Sequence, residues 1–128
     1  MKKLKAFWWI TVLIVSGCQS QTDVFPTDTW SEGCVELATN QGEYRLSGMC
    51  CAYAVFPLID KAPKGSFKVS GRYYSFNGVE YASIPIEITG ELTSKDPTLI
   101  LSYTVGSQSK VHRLKPGRAT MSCYCGCF

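Results

Sequence analysis

The chain of 128 residues contains a single histidine, His112, and this scarcity limits the catalysis it could perform. A serine or cysteine nucleophile needs a base that a third group orients. His112 stands between Lys110 and Arg113 on a short polar segment, where we expect an exposed and inert side chain. The glycine-rich phosphate loop and the dinucleotide fingerprint are also absent. We therefore expect no catalytic residue, no resident cofactor and no enzyme activity.

Paired carboxylates of the kind that a glycosidase uses are poorly represented as well. Glu80, Glu87 and Glu91 are close in sequence, but their spacing is uneven. We expect Glu87 to form an ion pair with Lys68, which would remove it from such a pair.

The chain has no apolar run of the roughly 20 residues that a membrane-spanning helix needs. The run over residues 6–17 is shorter and follows Lys2, Lys3 and Lys5. A basic start, a short apolar core and small residues at its end predict a secretory signal over residues 1–17. Without the three lysines of this signal, ten basic and ten acidic residues remain. This balance gives no support for nucleic-acid binding.

The end of the signal, Val15-Ser16-Gly17-Cys18, resembles the lipobox of bacterial lipoproteins. In that family a diacylglycerol is attached to the cysteine and the signal is removed before it. The resemblance implies lipidation at Cys18 and anchoring in a membrane by buried acyl chains. In lipoproteins of Gram-negative bacteria, an aspartate after the cysteine favours retention in the inner membrane. Gln19 at this position therefore implies the outer membrane, with the protein facing the periplasm or the cell surface.

Residues 18–29 are polar, contain a proline and show no periodicity, so we expect a flexible tether. The rest, residues 30–128, has the length of one domain. Helical periodicity is absent there, whereas short β-forming runs and turn residues are frequent. We predict a small antiparallel β-barrel or sandwich of six to eight strands. The candidate strands are residues 34–39, 43–48, 50–58, 67–76, 79–88, 99–105, 110–114 and 118–127.

Asn77-Gly78 is the strongest hairpin signal in the chain. A turn centred on this pair places Phe76 opposite Val79 and gives the hairpin one apolar and one mixed face. In this register Pro85 faces Ser70 at a hydrogen-bonded position, which predicts a bulge or an open edge there. The other facing pairs include Tyr73–Ala82, Val69–Ile86, Lys68–Glu87, Arg72–Ser83 and Tyr74–Tyr81.

The cysteines number seven, and lipidation of Cys18 would leave an even set of six. In an exported protein an even set predicts disulfides. In a strand, the alternate cysteines near the C-terminus would be about 6.5–7 Å apart on one face, where bonds between them are strained. The economical arrangement joins each of Cys34, Cys50 and Cys51 to one of Cys123, Cys125 and Cys127, which leaves six connectivities open. A bulge or turn at Gly48-Met49-Cys50 would let the adjacent pair reach partners on one face.

Two alternatives for these thiols remain open. Cys50-Cys51 and the alternate C-terminal cysteines could hold Cu(I) or Zn²⁺, which bind thiolates. A redox role is the other alternative. The Cys-x₂-Cys spacing of common zinc sites is absent, so disulfides without a metal are the favoured interpretation.

Charge is distributed unevenly along the mature chain. Acidic residues predominate over residues 18–60, whereas residues 97–128 contain four basic residues and no acid. This pattern indicates either a basic patch for an anionic partner or two neighbouring ends that neutralise each other, and we favour the second. The basic residues are Lys110, Arg113, Lys115 and Arg118.

Tyr73, Tyr74, Phe76 and Tyr81 cluster near the predicted hairpin tip. Such a cluster can form a binding surface, or it can be core on one face and cross-strand cover on the other. In the same region Ser70-Gly71-Arg72-Tyr73-Tyr74 resembles the Ser-Gly-x-x-Tyr stretch of small bacterial lipoproteins that inhibit C-type lysozymes. Those are lipid-anchored single β-barrels in which a serine and a lysine enter the lysozyme cleft. The downstream Trp-x-Lys-Gly is missing here, so only Ser70 is carried over.

We therefore expect a lipid-anchored, non-catalytic protein that binds or assembles with another envelope protein. Inhibition of a secreted enzyme such as lysozyme and carriage of a small ligand inside a barrel are the alternatives. The candidate binding residues are Ser70, Tyr74, Tyr81, Lys110, Arg113, Lys115 and Arg118.

Overall fold

A computed structural model of the chain describes residues 29–59, 65–93 and 96–127, which form a closed antiparallel β-barrel. The predicted signal, Cys18 and the predicted tether up to residue 28 lie outside the described residues. The prediction of an all-β fold is confirmed, at the upper end of the expected strand number. The strands are β1 (Trp30–Glu32), β2 (Val35–Asn40), β3 (Glu43–Met49), β4 (Ala52–Pro57), β5 (Ser66–Phe76), β6 (Tyr81–Thr93), β7 (Thr98–Val105) and β8 (Gln108–Pro116).

The strands follow one another around the barrel in chain order, and β1 pairs with β8 to close it. Side chains alternate between the interior and the outer surface, as the two-residue period of a strand requires. The interior is filled by hydrophobic residues with little or no exposed surface. These are Trp30, Leu37, Tyr44, Leu46, Ala52, Ala54, Phe56, Tyr73, Ile86, Ile88, Leu99, Leu101, Tyr103 and Leu114.

The β5–β6 hairpin has the predicted faces but not the predicted register. Phe76 faces Tyr81 instead of Val79, so every facing pair is displaced by two residues on β6. The cause is the Asn77 side chain, whose Oδ1 accepts the N–H groups of Val79 and Glu80 at 3.0 and 2.9 Å. The Asn77 N–H also donates to the Glu80 carbonyl at 3.0 Å. These bonds centre the chain reversal on Gly78-Val79.

This register resolves the difficulty raised by Pro85, which faces Arg72 and not Ser70. Hydrogen-bonded and non-hydrogen-bonded pairs alternate along an antiparallel ladder. Counted from the Asn77–Glu80 bond, the pair of Arg72 and Pro85 falls on a non-hydrogen-bonded position. The proline nitrogen then points to the other edge of β6, which pairs with β7 only over Thr89–Thr93. The expected open edge is therefore present, and the ladder needs no bulge.

At its start, the domain has a strand that was not predicted from the sequence. Residues 30–32 form β1 and bury the Trp30 side chain completely. At the other end one prediction was wrong, because residues 118–127 do not form the expected closing strand. Instead, Gly117 N–H donates to the Thr29 carbonyl after β8, and the chain continues as an irregular C-terminal segment.

The C-terminal segment is attached to the barrel by three disulfides, as expected. The bonds are Cys34–Cys123, Cys50–Cys125 and Cys51–Cys127, which is one of the six connectivities left open. With all six sulfurs bonded, these cysteines cannot act as thiolate ligands in this structure.

A tight turn between β3 and β4 lets the adjacent cysteines reach neighbouring partners. Met49 faces Ala52, so Cys50 and Cys51 are the two residues of the turn rather than the start of a strand. Cys51 has a φ of 59°, and the register of β3 shifts between Leu46 and Met49. A side chain at Gly48 would place its Cβ 2.0 Å from the Cys34 carbonyl oxygen. The expected irregularity at residues 48–50 is therefore confirmed.

Among the described residues, no helix has the length and apolar character to cross a membrane.

Candidate functional site

Outward-facing aromatic residues on β4, β5 and β6 pack against one another, and we call them the aromatic surface: Tyr53, Tyr74, Phe76 and Tyr81. Tyr53 stacks on Tyr74 with ring centroids 4.6 Å apart and an angle of 11° between the planes. Tyr81 packs at 5.3 Å against both Tyr53 and Phe76. Because the buried core lies on the opposite side of these strands, the aromatic surface is additional to the packing that closes the barrel.

Arg45 on β3 extends the aromatic surface. Its guanidinium carbon lies 4.1 Å from the centre of the Tyr53 ring, a cation–π contact that fixes one face of that ring. A shallow groove of about 490 Å³ begins beside these two residues. We call it the arginine groove, and it is lined by Glu43, Arg45, Tyr53, Val55, Pro57, Ser70, Arg72, Tyr74 and Pro85 among others.

Three of the predicted site residues lie in the aromatic surface or the arginine groove. Ser70 and Tyr74 line the arginine groove, and Tyr81 contacts Tyr53 in the aromatic surface. Gly71 beside them is inward-facing, and a Cβ there would lie 2.7 Å from the Val55 carbonyl oxygen. The glycine of the Ser-Gly-x-x-Tyr stretch is therefore required by the close approach of β4 to β5.

The four basic candidates lie elsewhere and do not share one surface. Lys110, Arg113 and Lys115 are on β8, which pairs with β7 and β1 and not with β3–β6. Lys115 donates to Asp96 Oδ2 and to Thr98 Oγ1, both at 2.6 Å. Lys110 is half-buried opposite Tyr103, whereas Arg113 and the following Arg118 are exposed.

The acidic and basic ends of the domain are neighbours, as favoured, because β1 pairs with β8. The contacts between the two ends are hydrogen bonds from backbone N–H groups to glutamate carboxylates. Glu32 Oε2 accepts the backbone N–H of Arg113 at 3.2 Å, and Glu36 Oε2 accepts that of Ala119 at 2.9 Å. Within the described ranges, no ion pair joins the two ends.

His112 is half-buried, and the expectation of an exposed side chain was wrong. Its Nε2 lies 3.0 Å from the Tyr103 hydroxyl, which donates to Met49 Sδ at 3.1 Å. Burial lowers the pKa of His112, Glu32 raises it and Lys110 lowers it further, with burial the largest effect. Burial also raises the pKa of Tyr103. The imidazole is therefore neutral at neutral pH and serves as a hydrogen-bond partner.

The three carboxylates considered for glycosidase chemistry are spread along the hairpin. Glu80 lies in the turn, Glu87 binds Lys68 Nζ at 2.8 Å, and Glu91 faces Ser66 at the other end. The ion pair of Lys68 and Glu87 was predicted and is present. In the observed register it is diagonal, because Lys68 faces Thr89.

Two residues of the site were not predicted from the sequence: Tyr53 and Arg45, which link β3 and β4 to the hairpin tyrosines. A signal for Tyr53 was present in the run Ala52-Tyr53-Ala54-Val55-Phe56. Its alternation places Phe56 inside with the two alanines and Tyr53 outside. For Arg45, only the pairing of β3 with β4 brings the guanidinium to the tyrosine, so local sequence carried no signal.

The fold and site together define a small antiparallel β-barrel with a disulfide-attached C-terminal segment and an external aromatic surface. Comparison of the chain with protein-family models, curated proteins and solved structures gives no match.

Proposed function

We propose that this protein is an exported lipoprotein, anchored through Cys18 in the outer membrane, that binds an envelope protein without catalysing a reaction. The observation that carries the binding proposal is the aromatic surface around Tyr53 and Tyr74, which lies outside a barrel whose core is already filled. The membrane contact is made by the lipid, and the protein partner is bound by the barrel wall.

Three disulfides support the export part of the proposal. They use Cys34, Cys50, Cys51 and the three C-terminal cysteines, and they leave only Cys18 for a lipid. Structural disulfides form and persist outside the reducing cytoplasm. The lipobox resemblance supports a lipid anchor, and Gln19 supports the outer membrane as its location.

Tyr81, an exposed tyrosine that its neighbours hold in place, supports the binding part. Tyr81 keeps 48% of its surface exposed although it contacts Tyr53 and Phe76. A tyrosine offers an apolar ring and a hydroxyl, and it loses little conformational freedom on binding when it is already packed. Such residues are typical anchors of protein interfaces.

Inhibition of a secreted enzyme such as lysozyme is the second candidate. It is favoured by Ser70, which is exposed and lines the arginine groove with Arg72 and Tyr74. Carriage of a ligand in the barrel is less favoured, because buried hydrophobic side chains fill the interior.

The proposal is tested in two steps with the protein from its native membrane. Mass spectrometry of the mature N-terminus should show a diacylglyceryl group on Cys18, and an unmodified chain that begins at Met1 would contradict the anchor. Pull-down from the envelope should then recover a protein that Tyr74→Ala or Tyr81→Ala loses and Val111→Ala retains. Val111 is a suitable control because it is 54% exposed on β8, away from the aromatic surface. An assay with C-type lysozyme separates the second candidate from the first.

A further inference from the structure

Two arginines face the arginine groove from opposite sides. Arg45, Val55, Arg72 and Pro85 face one another in that order across β3, β4, β5 and β6. Neighbouring strands are about 4.8 Å apart, so the Cα atoms of the two arginines are separated by about 10 Å. Their long side chains can therefore reach one ligand above Val55.

Neither guanidinium forms an ion pair with a carboxylate of a described residue. The ion pairs within the described part of the chain are those of Lys68 with Glu87 and of Lys115 with Asp96. Arg45 stands over the Tyr53 ring, and Arg72 Nη2 donates to Ser83 Oγ at 2.8 Å. Since a guanidinium has five N–H groups, these neutral contacts leave several donors for a ligand.

Among the described residues that line the groove, Glu43 is the one that is acidic. It faces Pro57, two residues along β3 from Arg45 on the same face of the sheet, and it makes no ion pair with either arginine. The described lining thus combines two positive charges with one negative charge.

The chemistry of the lining residues indicates which anion fits. A phosphate monoester carries a charge of about −1.5 to −2 and three acceptor oxygens, which matches two guanidinium groups better than a carboxylate does. The same groove is lined by three residues that carry hydroxyl groups, Ser70, Tyr53 and Tyr74. Such groups can form hydrogen bonds with the hydroxyls of a sugar or a headgroup.

We propose that the arginine groove binds a phosphate monoester carried by a sugar or by a lipid headgroup. The inference rests on the proposed function, because it names a ligand for the surface that the binding proposal already uses. Arg45 and Arg72 hold the phosphate from two sides, and Glu43 weakens its binding by repulsion.

Calorimetry of the full mature chain tests this inference. The chain is produced by export so that its disulfides form, and it is purified in a non-ionic detergent. Glucose 1-phosphate and glucose are compared as soluble probes, and phosphatidic acid and phosphatidylcholine are compared in detergent micelles. Binding of glucose 1-phosphate assigns a sugar phosphate, and binding restricted to phosphatidic acid assigns a lipid headgroup. Either outcome supports the proposal.

The substitutions give the decisive comparison. Arg45→Gln and Arg72→Gln should each weaken binding about tenfold or more, because each removes a charge-assisted hydrogen-bonding group. Glu43→Gln should strengthen it, and Arg113→Gln, an exposed arginine on β8, should leave it unchanged. Binding must also weaken as salt is added. No binding of either phosphate probe, equal binding of glucose, or unchanged affinity in both groove variants would overturn the proposal.

A failure of the phosphate proposal can be distinguished from a failure of the proposed function. If Arg45→Gln/Arg72→Gln loses the phosphate probe but the protein partner is still recovered, the two ligands use separate parts of the wall. If the partner is recovered and no phosphate binds the unaltered chain, only the present inference fails.

Discussion

Tyr53 and Tyr74 stack across β4 and β5 with ring centroids 4.6 Å apart, on the outer wall of a barrel whose interior is filled separately. Their stacking holds the centre of the aromatic surface, since Arg45 covers Tyr53 and Tyr81 packs against it. An array of this kind presents rigid amphipathic groups to a partner, and it also contributes to stability. Both consequences can be measured.

The stability of the aromatic surface is tested by a double-mutant cycle. Tyr53→Ala and Tyr74→Ala should each lower the free energy of unfolding by about 1–2 kcal/mol, with a coupling energy of about 0.5–1.5 kcal/mol between them. Denaturant unfolding measures both quantities. Tyr124→Ala is the control and should change nothing, because Tyr124 is 98% exposed. Additive effects of the two substitutions would show that the stacking has no energetic role.

The Cys34–Cys123 disulfide closes a chain separation of 89 residues and holds the start of the C-terminal segment. Cys34→Ser/Cys123→Ser should lower the free energy of unfolding by about 2–5 kcal/mol, because the unfolded chain gains freedom. The unaltered protein should show no reactive thiol without a reductant, and neither should the double variant. Free thiols in the unaltered protein would contradict the disulfide assignment.

Burial of His112 makes stability depend on pH. Its pKa is lowered in the folded protein, so the unfolded chain binds more protons between this lowered value and about 6.5. Stability should therefore fall as the pH decreases from about 7.5 to about 5.5, and His112→Gln should reduce this fall. Denaturant unfolding at the two pH values provides the measurement. An identical fall in the variant would show that other groups dominate.

Phe67 lies directly over Gly90, its facing residue on β6. A Cβ at Gly90 would be 2.1 Å from Cζ of the phenyl ring, so Gly90→Ala should cost about 1–3 kcal/mol by overpacking. The smaller side chain of Phe67→Leu should absorb part of this cost when the two substitutions are combined. If Gly90→Ala costs the same with and without Phe67→Leu, the contact is not the cause.

The sequence allowed most of the strands to be predicted from local alternation. The spacing of the cysteines predicted which two groups are joined by disulfides, but it left six connectivities open. The hairpin register was missed by two residues because the Asn77 side chain, and not the backbone of Asn77-Gly78 alone, closes the turn. Residues 123–127 alternate like a strand, yet the disulfides and not a ladder fix their path. A three-residue strand such as β1 carries too little pattern to be recognised.

Only the part of the candidate site that lies on the β5–β6 hairpin was predicted from the sequence. Ser70, Tyr74 and Tyr81 were found because they belong to consecutive strands with a clear turn between them. Arg45 and Tyr53 come from the preceding pair of strands, and their contact with the hairpin depends on how β4 pairs with β5. The basic residues of β8 are close in sequence to one another but are separated from this surface by the closure of the barrel.

Site-specific photo-crosslinking in intact cells tests the central claim, that this wall of the barrel binds an envelope partner. A photoreactive phenylalanine derivative in place of Tyr81 keeps an aromatic ring at that position and should give a discrete cross-linked protein. The same residue in place of Val111 should not, although the two positions are similarly exposed. Cross-linking from Tyr81 should also be lost when Tyr74→Ala is added. Equal products from both positions, or a product from Val111 alone, would contradict the assignment of the binding surface.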